Sequence, residues 1–536
     1  MPKRALGRLS AAAALILFGA GALRSFSVEP PEEVEPPEQA APEAVAQAER
    51  VREEPWRPEI PRTWDEKAIA TVELPLALGA KVEHLTAEEY YSIPPRVIAR
   101  SYPVYHPDRE PEGYLEKLEK IEPEIAFDPE KLATEEDWIA AGELVFTTPI
   151  AYDALVKVET VRDPAWYEKT GVPVANDGTV PFFRYFVLEK GKVRLGEFSC
   201  AACHTRVMDD GSVIRGAQGN FPLARLDALA LKERLGQAED PEKAVRDRVA
   251  GIARTWGVPW AGKMDPTARH AELTPEETYE LEAAIPAGVQ PRFGTSAFHP
   301  VQIPDLIGVA DRRYLDRTGH AQHRSVGDLM RYGALQQGMA FLDRFTWGDG
   351  EGLDLRGERG IPPWMRRFTD EQLYALALFV YSLEPPPSPH PFDELAARGQ
   401  KVFEREECNR CHTPPLYTSN KLTPALGYEP PADHPRAADI ISRTVGTDPG
   451  LALYTRRGTG LYKVPSLKGV WYRGPFGHSG WAATLEDWLD PKRVEEGYVP
   501  TGFKPFGKPY AVKGHPFGLK LDAEERRALI AFLKTL

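Results

Sequence analysis

Two stretches of the chain, FTDEQLYALALFVYSL at 368–383 and LDAEERRALIAFLKTL at 521–536, repeat one apolar pattern without a gap. Leu376/Leu529, Phe379/Phe532 and Leu383/Leu536 fall at i, i+3 and i+7, one face of a helix. Asp522 followed by Glu525 predicts the start of the second helix, a cap residue with its reciprocal carboxylate. Earlier in each copy lies another helical pattern, AAGELVF at 140–146 against ARGQKVF at 397–403. Between these helices two more segments recur in the same order, CAACH at 200–204 against CNRCH at 408–412, and IPDLIGV at 303–309 against VPSLKGV at 464–470. Four anchors in register define a duplicated helical domain. Only the first copy carries a long insertion between its helix and its cysteines. Within it PFFRYFVLEKGKVRLGEF (181–198) predicts a β-hairpin turning at Lys190-Gly191.

Prolines and charge set the borders. Glu384-Pro385-Pro386-Pro387-Ser388-Pro389 cannot continue a helix, so domain 1 spans 128–384 and domain 2 spans 389–536. With 536 residues, 42% of them hydrophobic, the chain has material for more than one core. Residues 28–127 read as a Pro/Glu-rich tether, EPPEEVEPPEQAAPE at 29–43, followed by an N-terminal extension in which folding begins between Trp64 and Asp128. Residues 1–27 read as an export signal: Lys3, Arg4 and Arg8 precede an apolar run from Leu9 to Leu23, too short for a comfortable span, and Ser25-Phe26-Ser27 offers a cleavage site. An uncleaved N-terminal anchor is the alternative, and it is the only membrane contact the sequence suggests. The expected location is periplasmic or otherwise exported. A net charge of −13 argues against nucleic acid as a partner and fits a soluble protein, or one steered to a basic redox partner.

All four cysteines fall in the two Cys-x-x-Cys-His motifs. Two thiols on one turn each form a thioether to a porphyrin vinyl group, and the adjacent histidine points a ring nitrogen at the iron. A thioredoxin-like redox pair needs a βαβ context that is missing, and a zinc site does not explain the repetition. Two covalently bound haem c groups are expected, haem 1 on Cys200, Cys203 and His204, haem 2 on Cys408, Cys411 and His412. The fold class is then mainly α, two tandem cytochrome c-like haem domains with long loops and the small hairpin insertion.

The sixth iron ligand separates electron transfer from small-molecule chemistry. None of the six methionines (1, 208, 264, 330, 339 and 365) follows Cys408, so haem 2 has no methionine ligand of its own domain. His478, in GPFGHSGW just after the repeated VPSLKGV, is the first candidate. His515, in KGHPFG, is the second, with tyrosine or an open iron remaining. For haem 1 the matching region, YLDRTGHAQHRSVGDLM at 314–330, offers His320 and His323 as candidate catalytic or ligating residues, with Met330 and Met339 as further options. The aromatic hairpin before Cys200 is a candidate wall for a reactive haem 1. Among eleven tryptophans, Trp347 in FTWGDG is the one singled out for a role beyond packing.

The residues ARGQKVFEREECNRCHT and GLYKVPSLKGVWYRGPFGHSGWAATLEDW resemble the C-terminal haem domain of bacterial di-haem cytochrome c peroxidases and their relatives. Those relatives include the enzyme that matures tryptophan tryptophylquinone and the haem-containing rubber oxygenases, and GHPFG with the final helix is most similar to the rubber-oxygenase-like branch. The resemblance covers domain 2 and the anchors of domain 1. It implies an oxidoreductase that meets peroxide or dioxygen at haem 1, draws electrons from a redox partner protein or small donor, and binds calcium between domains, though no calcium ligands map onto this chain. Two departures stand out: Leu489-Asp490-Pro491-Lys492 lacks the peroxidases' methionine, and GAQGNFP (216–222) lacks their distal histidine. An electron-transfer cytochrome with two six-coordinate haems is the alternative.

Overall fold

The computed structural model describes residues 56–291, 294–357 and 360–536; the leader and the Pro/Glu-rich stretch lie outside the described residues. Helices outweigh strands, and the strands form short sheets. Two helix pairs organise the fold, Glu135–Thr147 on Asp370–Tyr381 and Glu394–Arg405 on Ala523–Lys534. Each pair crosses at a glycine. A Cβ on Gly142 would fall inside the carbonyl of Ala375, and one on Gly399 inside that of Ala528. Phe146 meets Phe379 with ring centroids 5.1 Å apart, and Phe403 meets Phe532 at 5.3 Å. The starts are capped as side-chain chemistry dictates: Thr369 with Gln372, and Asp522 with Glu525, each close a reciprocal box.

The third repeated anchor also recurs in three dimensions. Gly308 (φ +72°) and Gly469 (φ +71°) adopt the left-handed conformation and open equivalent 3₁₀ turns, Val309–Asp311 and Val470–Tyr472. Residues 55–536 form one compact unit. Hydrogen bonds join the two halves: the Tyr472 hydroxyl donates to Asp305 at 3.0 Å, and the Asn420 side chain to the Asp311 carbonyl at 2.8 Å. The proline stretch between the halves carries no helix or strand.

The predicted hairpin forms as Thr179–Glu189 against Lys192–Glu197, turning at Lys190-Gly191. It is part of something larger. Ser101–Tyr105 pairs on one side and Ala151–Tyr152 on the other, giving a four-stranded antiparallel sheet. Its inner face, including Phe183, Tyr185 and Leu195, packs with Phe221 and Val207 into a second core. The first edge strand comes from the N-terminal extension, which is ordered well before residue 128. Trp64 is fully buried and stacks on Tyr90 at 4.4 Å, and Lys81–Glu83 pairs with Arg344–Trp347. Among the described residues no helix is long and apolar enough to cross a membrane.

The two glycine crossings generate a signed test. Gly142→Ala and Gly399→Ala force helices apart and should each cost about 1–3 kcal/mol in chemical denaturation of the full chain. Gly251→Ala, in the exposed helix Pro241–Trp256 with no neighbour in reach of a Cβ, should instead stabilise by about 1 kcal/mol.

Candidate functional site

Helix Glu394–Arg405 ends one turn before the second cysteine motif. Glu407 takes a left-handed conformation (φ +58°), and the chain enters a 3₁₀ turn at Cys408–Arg410. The His412 amide donates to the Cys408 carbonyl at 2.8 Å, which closes the turn and puts both thiols beside the imidazole. All three side chains line one cavity of about 1580 Å³ free of protein atoms, its open mouth included. Phe403, Leu467, Val470, Leu489, Leu529 and Leu533 supply apolar walls, so the helix pair that the repeat encodes also shapes the cavity.

His412 is held in one tautomer. Its Nδ1 lies 3.1 Å from the Pro465 carbonyl and 3.2 Å from that of Tyr417, so it carries the proton and leaves the Nε2 lone pair for a metal. Burial keeps this imidazole below its ordinary pKa, in the neutral form that ligates. The ring of His515 stands 6.4 Å from that of His412, centroid to centroid. Burial, reinforced by His412 and Arg493, pushes His515 down to about 3. Its Nδ1 is buried with no hydrogen-bond partner.

A rigid loop presents His515. Its φ is +45°, its amide donates to the Val445 carbonyl at 2.6 Å, and Gly514 passes too close to Gly446 for any side chain. Arg493, 1% exposed, donates to the carbonyls of Val512, Gly514 and His515 at 2.6–2.9 Å. Its guanidinium also lies over Trp481 and Trp488, which stack at 4.9 Å, with Trp488 5.3 Å from His515. His478 also lines the cavity, but its Nε2 lies 3.2 Å from Asp448, and its ring packs on Tyr462. His478 in turn holds the Asp448 carboxyl well below the usual carboxylate range, against the opposing effect of burial.

At the first motif Ser199 caps the turn Cys200–Cys203, and the His204 amide donates to the Cys200 carbonyl at 2.8 Å, the same closure as in the second. The turn packs on strand Thr179–Glu189. Burial pushes the Cys200 thiol up to about 12, and Gln337 and Gln290 reach the sulfurs of Cys200 and Cys203 at 3.5 and 3.4 Å. Met330 and Met339 are buried in the apolar cluster that contains Ala201. The following loop ties this motif to the segment leading to His478. Gln218 and Gln302 both donate to the Pro475 carbonyl, at 3.0 and 2.8 Å, and the Gln302 amide donates to the His478 carbonyl at 2.8 Å.

The remaining sequence candidates have other surroundings. His323 places Nδ1 2.7 Å from the Arg312 carbonyl and Nε2 2.6 Å from the Tyr381 hydroxyl, so both ring nitrogens are committed. His320 is buried between Glu73 and Asp316, at 3.7 and 3.6 Å. Glu73 belongs to a charged knot in which His84 lies 2.9 Å from Asp343 and 3.3 Å from Glu73, and Arg457 bridges the same two carboxylates. Trp347 packs on Trp260 at 5.4 Å. Among the described residues no group of three or more His, Cys, Asp or Glu is placed to hold a metal ion. Sequence reasoning missed Arg493, Trp488, Gln218 and Gln302; each looks like an ordinary polar or core residue until the loops are packed.

No family model matches the chain, and no curated protein matches it. Two similar solved structures are a Kuenenia stuttgartiensis hydrazine synthase, 17% identical over 48% of this chain and 78% of that one, and a MauG-like protein associated with microbial copper homeostasis, 18% identical over 44% and 73%. Both superpose with a TM-score of 0.27, which carries no weight for fold or chemistry.

Two outcomes follow from this geometry. Arg493→Met should free the carbonyls around His515, at a cost of about 1–3 kcal/mol for each left unpaired, and hydrogen exchange should quicken at the Val512 and His515 amides. In the charged knot the Asp343 and Glu73 carboxylates outweigh burial and raise His84 to about 10. A raised imidazole stabilises fully below its unfolded pKa of about 6.5 and loses that contribution as pH rises through the folded value. Stability should therefore decline between about pH 6.5 and 10, less steeply in His84→Gln, measured by denaturant titration across that range.

Proposed function

We propose that the chain is an exported c-type cytochrome with two covalently attached haems, working as a redox enzyme on a small oxidant. The observation that carries this reading is the pair His412 and His515, two neutral imidazoles facing one apolar cavity beside two thiols. Two imidazoles on opposite sides of one metal, each bonded at about 2 Å, put their ring centroids roughly 6 Å apart. The 6.4 Å separation fits, as does the Nδ1 anchoring of His412. Cys408 and Cys411 would hold the haem covalently and His412 and His515 would ligate its iron; His515 takes precedence over His478 because Asp448 already engages the His478 Nε2. The bound haem would supply a one-electron iron couple; the protein holds His412 in one tautomer through its Nδ1 and surrounds the site with apolar side chains.

Cys200, Cys203 and His204 would hold the second haem in the same way. The four-stranded sheet packed against that turn supports its assignment as the centre that meets peroxide or dioxygen, because it adds protein walls beside the turn, and the surroundings of a haem select small-molecule chemistry or simple electron transfer. A redox partner protein or small donor would feed electrons through the His412–His515 site.

Mature protein should exceed its polypeptide mass by two haems, and Cys408→Ala/Cys411→Ala by one. His515→Ala should turn one low-spin haem high-spin in the EPR spectrum, whereas His478→Ala should leave it low-spin. Loss of the low-spin signal in His478→Ala alone would refute the ligand assignment. Haem that extracts into acidified organic solvent would refute covalent attachment. Two low-spin haems inert to cyanide and to peroxide would make the protein an electron carrier instead.

A further inference from the structure

One wall of the His412–His515 cavity does not match the others. Arg317, Lys463 and Arg473 line it and continue into an adjoining pocket of about 410 Å³, where Arg312 and Asp305 join them. Asp305 is the nearest carboxylate to the group, 3.9 Å from Arg312 and 3.8 Å from Arg473, and it also accepts from Tyr472. Positive charge is therefore in excess: Asp305 faces the four cations, Asp311 adds a carboxylate only beside Arg312, and Lys421 lines the same pocket. Arg312 and Arg473 spend donors on backbone carbonyls: those of Asp305 and Ile307 for the first, of Ser466, Lys468 and Gly469 for the second. Arg317 and Lys463 are less well provided for. Their hydrogen bonds are single long contacts of 3.4 Å, to the carbonyls of Gln302 and Tyr314.

Buried charge without a counter-charge is among the costliest arrangements a fold can hold, and like charges packed together add to the cost. The cost shows in the groups themselves. Burial, followed by Arg312, Arg317 and Arg473, drives Lys463 well below the ordinary lysine value, and burial, followed by Arg473 and Arg312, pushes Arg317 down to about 9. A doubly charged anion placed against Arg317 and Lys463 removes this penalty. The cations come from both halves of the chain, two just after the Ile303–Val309 anchor and two flanking Val464–Val470, so the anion would sit where the halves meet.

We propose that this wall is a carboxylate site, and that its occupant is the pair of propionate side chains of the haem on Cys408 and Cys411, with Arg317 and Lys463 as the contacting residues. The proposal rests on the haem reading above. The chemistry is shared with free dicarboxylates or phosphate, but the wall opens into the cavity that holds the attachment cysteines, which places haem carboxylates within the same enclosure. Arg317 and Lys463 are positioning residues that set the field at the iron. Cations there oppose oxidation of the iron, so losing one lowers the potential.

The test uses the full-length holoprotein with haem carboxylates carrying ¹³C, read by redox-difference infrared spectroscopy and by potentiometry. Label-sensitive carboxylate bands should appear in wild type and shift in Arg317→Gln and Lys463→Gln, and the low-spin haem should have a lower midpoint potential in both variants. Label-sensitive bands and a potential that stay the same in both variants overturn the proposal while leaving the haem reading intact. Wild-type potential that shifts saturably with added succinate or phosphate assigns the site to a soluble anion, and also overturns it. Protein without haem at Cys408 and Cys411 overturns both readings, and the mass of the proteolytic peptide carrying Cys408 and Cys411 reveals that case.

Discussion

The close crossing of two helices at a glycine is the contact on which the rest of the second half depends. Gly399 lets helix Glu394–Arg405 settle onto the backbone of Ala528. That approach fixes where the helix ends, and its end is where the cysteine turn begins. The partner helix contributes Leu529 and Leu533 to the cavity, so one contact sets both the position of the thiols and the wall facing them. The same device at Gly142 and Ala375 supports the first motif. Helix packing tolerates few alternatives at such a distance, because any side chain at the crossing pushes the pair apart.

What the duplication holds constant is short-range, and that part was legible in the sequence. Caps at Thr369 and Asp522, the left-handed glycines of the third anchor and the hairpin turn at Lys190-Gly191 each depend on residues a few positions apart. The four-stranded sheet was not legible, because its edges come from distant segments, one carrying Pro103 and the other only two residues long. The two candidate histidines of the second site show the same limit. Position in the repeat favoured His478, whereas the ring beside His412 is that of His515, placed by Val445, Gly446 and Arg493. No local pattern reports such a pairing.

The second site combines two electrostatic environments that require each other. Around the imidazoles the cavity is apolar, and burial holds His412 and His515 neutral, the state a metal needs. In the same cavity Arg317, Lys463 and Arg473 concentrate positive charge. A wholly apolar cavity would bind a porphyrin's ring but reject its acid groups. A wholly cationic one would do the reverse. Having both in one cavity matches an amphipathic occupant.

The halves then differ in how much sequence surrounds an equivalent turn. The second motif follows its helix directly, and its cavity is walled mostly by its own domain, down to the glycine contact between 446 and 514, with Gln302 and Arg317 reaching in from the first half. The first is separated from its helix by an insertion that builds a sheet with the N-terminal extension and packs it on the cysteine turn. Unequal elaboration of the two copies leaves one cysteine turn close behind its helix and sets the other against a four-stranded sheet.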